Sequence, residues 1–197
     1  MNEFVYTRLS QSTLAKEEFA KESSDKVIQL SEEIVACFNN GGKLLLFGNG
    51  GSAADAQHVA AEFVNRFLLN RRPLPAIALS TDTSVLTAIG NDFSYELIFA
   101  KQIEALGNRG DIALGLTTSA TSPNVVQGLA VAKEKGLTTV ALTGGTITPK
   151  DGVHPYCDLI LNVPSNYTPR IQEAHLWIEH LICEIVEKMM FGKWGEE

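Results

Sequence analysis

Four groups of residues in this 197-residue chain have the types and spacing to do chemistry. The first is Gly48-Asn49-Gly50-Gly51-Ser52, which follows the apolar run Lys43–Phe47 and opens an alanine-rich segment. Glycines let backbone approach a ligand closely. N–H groups at the start of a helix, with the helix dipole behind them, attract an anion. Neither usual nucleotide loop is present: no Gly-Lys-Ser/Thr follows, and Ala53 and Ala54 stand where a dinucleotide fingerprint wants its last glycine. Taken alone, the stretch reads equally as a tight strand-to-helix turn with Ser52 as N-cap. The second group is Thr117-Thr118-Ser119-Ala120-Thr121-Ser122, five hydroxyls in six residues ahead of Pro123, which suits a first helical turn. One cap needs one hydroxyl. Several hydroxyls and the helix amides together can hold a phosphate monoester without an arginine or a metal.

The third group is His58 with Glu62. Four residues apart on a helix, they lie about 40° apart around the axis and share a face. An imidazole and a carboxylate so placed can bind a divalent metal, orient one another for proton transfer, or form an ordinary hydrogen bond. The fourth lies near the C-terminus: Gln172, Glu173, His175, Glu179 and His180. Gln172 and His180 fall within roughly 80° of each other. Gln172, His175 and Glu179 form a narrower polar stripe, so spacing leaves two competing sets. His154, in the segment Lys150–Tyr156, reads as exposed.

The elements that must position these groups follow from hydrophobic period. Leu30, Ile34, Val35 and Phe38 fall on one helical stripe within residues 3–40, and Asn39-Asn40-Gly41-Gly42 supplies the stop. Short apolar runs then recur at 43–47, 75–79, 111–116, 138–142 and 158–163, apolar enough for strands covered on both faces. Helical stretches are expected at 52–69, at 82–106 with a break near Gly90, and at 122–135, stopped by Gly136. Alternating strands and helices predict an α/β fold, a parallel sheet with helices on both sides. An amphipathic helix follows Pro169. One domain is expected over 1–197: a helical arm (1–40), an α/β core (41–165) and a C-terminal helix (168–191). In such a sheet ligands sit at the carboxyl ends of the strands, where the glycine and hydroxyl loops fall. Two long helical arms carry more apolar stripe than one small domain covers, which predicts association of copies.

Composition narrows the partners. The chain is 45% hydrophobic and 20% charged with net charge −7, and no Lys/Arg cluster stands out, which argues against nucleic acid or an anionic membrane surface. No apolar run approaches the roughly 18 residues that span a bilayer, and Met1–Gln11 has no secretory apolar core, so a cytoplasmic protein is expected. Cys37, Cys157 and Cys183, odd in number and set in apolar sequence, read as buried free thiols.

"GNGGSAADAQH" with "AAE", "STDTSVLTAIGND", the hydroxyl loop before "SPNVV", "ALTG" and "RIQEAHLWIEH" together resemble the phosphoheptose isomerase family of the sugar isomerase (SIS) domain superfamily. The resemblance spans nearly the whole chain. It implies a flavodoxin-like five-stranded parallel sheet, a homotetramer with sites at subunit interfaces, and a zinc ion in each site. It implies metal ligands at His58, Glu62, Gln172 and His180, with Glu62 and His180 catalytic. It places substrate on Asn49, Gly50, Gly51, Ser52, Glu62, Arg66, Asn91, Asp92, Thr117, Thr118, Ser119, Ser122 and Gln172, with Thr121 nearby. The implied reaction converts sedoheptulose 7-phosphate to D-glycero-D-manno-heptose 7-phosphate through an enediol, the first step of bacterial ADP/GDP-heptose synthesis.

Two segments depart from the family pattern. Ala120-Thr121 stands where Gly-Asn is common, and alanine tolerates positive φ poorly. The segment 144–156 replaces a shorter glycine-rich turn and is expected to be a surface loop of little consequence to the site. Two other functions compete. A non-enzymatic regulator of the same superfamily, which binds the replication initiator protein, is similar in "LPAIAL", "NRF" and "RIQE" but lacks the equivalent of Glu62. A sugar-phosphate sensor would keep the hydroxyl loop and need neither zinc nor Glu62.

Overall fold

The computed structural model describes residues 1–146, 148, 150 and 152–192. The N-terminal stripe forms one helix, α1 (Asn2–Asn39), which buries Phe19, Val27, Leu30, Ile34 and Phe38 along a single face. Five apolar runs become β1 (Leu44–Gly48), β2 (Ala76–Ala78), β3 (Ile112–Thr117), β4 (Thr138–Gly144) and β5 (Leu159–Val163). Between them lie α2 (Gly51–Val64), α3 (Thr83–Asp92), α4 (Ala100–Leu106) and α5 (Pro123–Glu134), and α6 (Thr168–Phe191) follows β5.

All five strands are parallel, in the order β2-β1-β3-β4-β5. The order reverses between β1 and β3, where Gly48 pairs with Leu116. Connections leaving these neighbours turn to opposite sides of the sheet and open a crevice at the strands' carboxyl ends. The glycine loop leaves β1 and the hydroxyl loop leaves β3, so both border that crevice.

Side chains alternate along each strand between two cores. Leu44 and Leu46 join Val59, Phe63, Leu142, Ile178 and Ile182 under α1, α2 and α6. Leu45 and Phe47 join Phe99, Ile103, Val125 and Leu129 under α4 and α5. The expectation of strands covered on both faces fails at the β2 edge: α3 buries none of its residues, and Ile77 lies open beside Val85 and Ile89. The break expected near Gly90 falls later. Gly90 stays helical inside α3, and the chain leaves the helix at Phe93, then makes a 3-10 turn at Tyr95–Leu97.

Helix α6 packs on α1 and α2, with Trp177 edge-on to Phe19 at 6.3 Å between ring centres. Near its end, Glu187 is buried and accepts from Phe67 N (3.2 Å), Leu68 N (2.7 Å), Leu69 N (2.8 Å) and Arg71 Nε (3.0 Å). The Arg71 guanidinium in turn donates to the carbonyls of Phe63 (2.7 Å) and Glu62 (2.8 Å), which the last turn of α2 leaves unpaired. One ion pair therefore caps α2 and ties the chain beyond it to α6. Glu187→Ala would strand a buried guanidinium and three amides, and is expected to cost about 3–5 kcal/mol. Denaturant unfolding at unchanged m-value measures this; a loss below about 1 kcal/mol would refute the role.

Candidate active site

The glycine loop is shaped by one left-handed turn and one close approach. Gly50 has φ +55, a conformation that an L side chain rarely holds, and it directs the following N–H groups into the crevice side of α2. A Cβ on Gly51 would collide with the Gln172 side-chain amide. Ser52 is buried and is not the cap: Gly50 occupies that position, without a side-chain hydrogen bond. Asn49 faces the hydroxyl loop's helix. Its Nδ2 donates to Asn124 Oδ1 (2.8 Å), Asn124 Nδ2 donates back to Asn49 Oδ1 (2.8 Å), and Tyr95 OH donates to the same oxygen (3.1 Å). This paired amide fixes the width of the crevice between the β1 and β3 loops. Asn124 and Tyr95 were not singled out by sequence reasoning. The signal for Asn124 was available, an amide one residue after Pro123 in the first turn of α5; Tyr95 arrives through a 3-10 turn that carried no signal.

In the hydroxyl loop, Thr117 Oγ1 and Ser122 Oγ share a hydrogen bond of 3.0 Å, while Ser119 Oγ accepts from Thr121 N (3.4 Å) and Thr121 Oγ1 (3.2 Å). Ser122 is the N-cap residue of α5 yet makes no side-chain cap bond. The hydroxyls thus bond to one another and leave the helix N–H groups open to an anion. Ala120 alone among the non-glycine residues described has positive φ, +60, and it is buried. Its carbonyl accepts from Val153 N at 2.9 Å. The 144–156 segment is therefore not the inconsequential surface loop expected: Val153 is fully buried in the core that holds Ala120. His154 is half-buried, not fully exposed. Ile147, Pro149 and Asp151 of this segment lie outside the described residues.

Two turns along α2 from the glycine loop stand His58 and Glu62, with His58 Nε2 3.7 Å from Glu62 Oε1. Helix α6 brings His180 Nε2 to 2.8 Å from His58 Nε2, and Phe67 lies along the His180 ring at 5.7 Å. Two imidazole nitrogens at that distance share one proton. Nitrogens around a tetrahedral zinc, each at about 2.0–2.1 Å, lie about 3.4 Å apart, so a small separation would turn the shared-proton pair into two metal ligands. Among the described residues no group of three or more His, Cys, Asp or Glu side chains is placed to hold a metal ion. His58 with its two neighbours, His180 and Glu62, comes nearest, and their nitrogen and oxygen donors are of the type that suits a borderline cation such as zinc. Gln172 of the same chain does not join them. It stands eight residues before His180, about 12 Å along the axis, and meets Gly51 instead.

Of the two competing sets on α6, the structure turns His175 and Glu179 inward, and Gln172 and His180 to half-buried positions. His175 bonds through Nε2 to the Thr143 carbonyl (3.1 Å), and burial holds its pKa down at about 4. Burial, then the nearby Asp55 carboxylate, pushes Glu179 up to about 8; burial also raises Asp55, against an opposing pull from His58. Both Glu179 oxygens and Asp55 Oδ2 are buried without a partner. Arg66, Asn91 and Asp92 are exposed, and Asn91 Nδ2 donates to Asp92 Oδ1 (2.8 Å). All three cysteines are free. Cys157 is partly exposed where burial was expected, and burial pushes Cys37 up to about 11 and Cys157 to about 12. Neither is a ready nucleophile.

The two shifted groups on α6 have opposite linkage. Between about pH 4.5 and 6.5 the unfolded chain binds one more proton than the fold at His175 and one fewer at Glu179, so the two offset. Above pH 6.5 only Glu179 remains: the fold holds a proton that the unfolded chain has lost, and stability falls as pH rises to about 8. Glu179→Gln is expected to remove this fall, about 2 kcal/mol between pH 6.5 and 8. Denaturation midpoints measured across that range test it, and an unchanged slope in the variant would contradict it.

A parallel sheet of this order is flavodoxin-like, and residues 8–144 match the family model for the SIS domain, which gives the class. Phosphoheptose isomerase of Clostridium acetobutylicum is 47% identical over 201 residues, covering 100% of both chains. That of Burkholderia pseudomallei is 52% identical over 168 residues, 85% of this chain and 83% of its own. The solved phosphoheptose isomerase of Neisseria gonorrhoeae superposes with a TM-score of 0.87 at 40% identity, over 95% of this chain and 98% of that one. The chain belongs to the phosphoheptose isomerase family.

Proposed function

We propose that this protein is an aldose–ketose isomerase that converts sedoheptulose 7-phosphate to D-glycero-D-manno-heptose 7-phosphate. The observation that carries the reading is the meeting of His58 and Glu62 with His180, two turns along α2 from the glycine loop. The full-length identity to phosphoheptose isomerases supplies the substrate. The phosphate would sit among Ser52, Thr118, Ser119 and Ser122 and the first N–H groups of α2 and α5, which need no counter-charge from an arginine.

At the other end, Glu62 takes a proton from C1 while His180 protonates the C2 oxygen, giving the enediol. The same carboxylate then returns the proton to C2, and the imidazole takes one from the C1 oxygen, leaving the aldehyde. No net proton is consumed, so one base and one acid suffice. A zinc ion, when bound, supplies a positive charge that polarises the carbonyl. His58, Glu62 and His180 would hold it, with Gln172 supplied by a second copy, since one chain cannot bring its own Gln172 to that point. A carboxylate has two oxygens, so Glu62 can serve metal and proton, whereas a ring nitrogen of His180 would either hold the ion or move the proton, not both at once.

The same reasoning favours a homotetramer with shared sites. Phe4, Leu9 and the uncovered α3 expose apolar side chains that a partner copy would cover. The described residues contain no helix long and apolar enough to cross a membrane, and free cysteines accord with the reducing cytoplasm proposed for the protein. The initiator-binding alternative lacks support: Glu62 is present, and the relatives are phosphoheptose isomerases.

Glu62→Gln is expected to lower turnover of sedoheptulose 7-phosphate by at least about a thousandfold while leaving binding of inorganic phosphate within about threefold. Product analysis with and without added zinc, beside phosphate titration, measures both. Wild-type protein that gives no heptose product with zinc, yet binds an initiator protein, would sink the proposal.

A further inference from the structure

The two segments that depart from the family pattern touch each other. Ala120 holds φ +60 and is buried, and its carbonyl accepts from Val153 N at 2.9 Å. Gly152, beside it, has φ +52, and a Cβ there would collide with the Ala120 carbonyl oxygen. Val153 is fully buried in the same apolar cluster as Ala120. We infer that Gly152 and Val153 are positioning residues for phosphate binding: they strap the hydroxyl loop into a left-handed turn at Ala120 that this alanine would not hold by itself. The inference rests on reading that loop as the phosphate site.

The physical reason is a conformational bias. An L residue other than glycine gives up roughly a factor of ten in population by entering the left-handed region. The turn at Ala120 sets the direction in which Ser119 on one side and Thr121 and Ser122 on the other present their hydroxyls. The hydroxyl–hydroxyl bonds across the loop, Thr117 to Ser122 and Thr121 to Ser119, are spaced by that turn. A hydrogen bond onto the Ala120 carbonyl, made by a residue anchored in the core, offsets the bias. Only glycine at 152 lets the two backbones come this close. A glycine at 120 would enter the left-handed region unaided and make the strap dispensable.

Gly152→Ala, Val153→Pro, and each combined with Ala120→Gly, test this in the full-length protein. Proline suits the φ of −74 at Val153, removes the N–H donor and puts its Cδ against the Ala120 carbonyl, so this variant breaks the strap from the other residue where Gly152→Ala does not fold. Titration with inorganic phosphate is expected to show affinity about tenfold weaker in either strap variant. KM for sedoheptulose 7-phosphate should rise in step while kcat changes less than threefold, and Ala120→Gly should restore both affinities to within about threefold. A general loss of packing would not be rescued by a glycine at 120. A folded strap variant with wild-type phosphate affinity overturns the inference and leaves the phosphate reading standing, and failure of Ala120→Gly to rescue also overturns it. Wild-type protein that binds no phosphate overturns the reading of the loop, and the inference with it.

Discussion

Helices α2 and α6 run in the same direction against one face of the sheet, Gly51 beside Gln172 at one end and His58 beside His180 about two turns on. A third level lies beyond, where Glu187 gathers the amides of residues 67–69 and the Arg71 guanidinium that caps α2. Apolar contact among Val59, Phe63, Ile178 and Ile182 holds the helices together, and burial of such side chains supplies most of the favourable free energy. The polar pairs decide the register. Sliding α6 by one turn along α2 would strand Glu187 and its four donors in the core and part the two imidazoles, so the apolar contact alone could slip while the polar levels could not.

The same interface carries an unresolved cost. Glu179 and Asp55 bring carboxyl oxygens into the buried layer without partners, and the fold accommodates Glu179 by keeping its proton. Glu179 is next in sequence to His180, and Asp55 on α2 is close to both Glu179 and His58. A structure selected for packing alone would place apolar residues there. Their presence next to the proposed chemistry is the pattern in which stability is given up close to a functional site.

Across the crevice, the arrangement follows from the sheet. Parallel strands put all their carboxyl ends on one edge, and the reversal of order between β1 and β3 leaves their two loops facing with no helix crossing between them. The Asn49–Asn124 amide pair ties these loops at a set separation. Hydroxyls that do not cap their own helix, and the amides at the first turns of α2 and α5, stand on either side of that tie. The β4–β5 segment reaches the same loop from the outer side, and through Val153 it is as much a part of the core as the strands are.

Much of this was legible in the sequence. Strands covered on both faces read as apolar runs, so β1, β3, β4 and β5 stand within a residue or two of their expected bounds. Only edge strand β2, with Ile77 uncovered, departs from the rule. The two loops were legible because unusual composition at a strand's end is local information. The polar residues of α6 were not: Gln172, His175, Glu179 and His180 spread over about 140° in two overlapping sets, and helical spacing cannot say which of them turns inward. The docking of α6 against α2 and β4 decided that, burying His175 against Thr143 and leaving His180 to meet His58. The hold of Val153 on Ala120 and of Glu187 on Arg71 were invisible for the same reason. The sequence by itself determined what depends on neighbours two to four residues apart, the elements, their order and the loops at their ends. Only the tertiary structure decided the pairs separated by 33, 116 and 122 positions, because each exists only when the whole core places two distant backbones within hydrogen-bond reach.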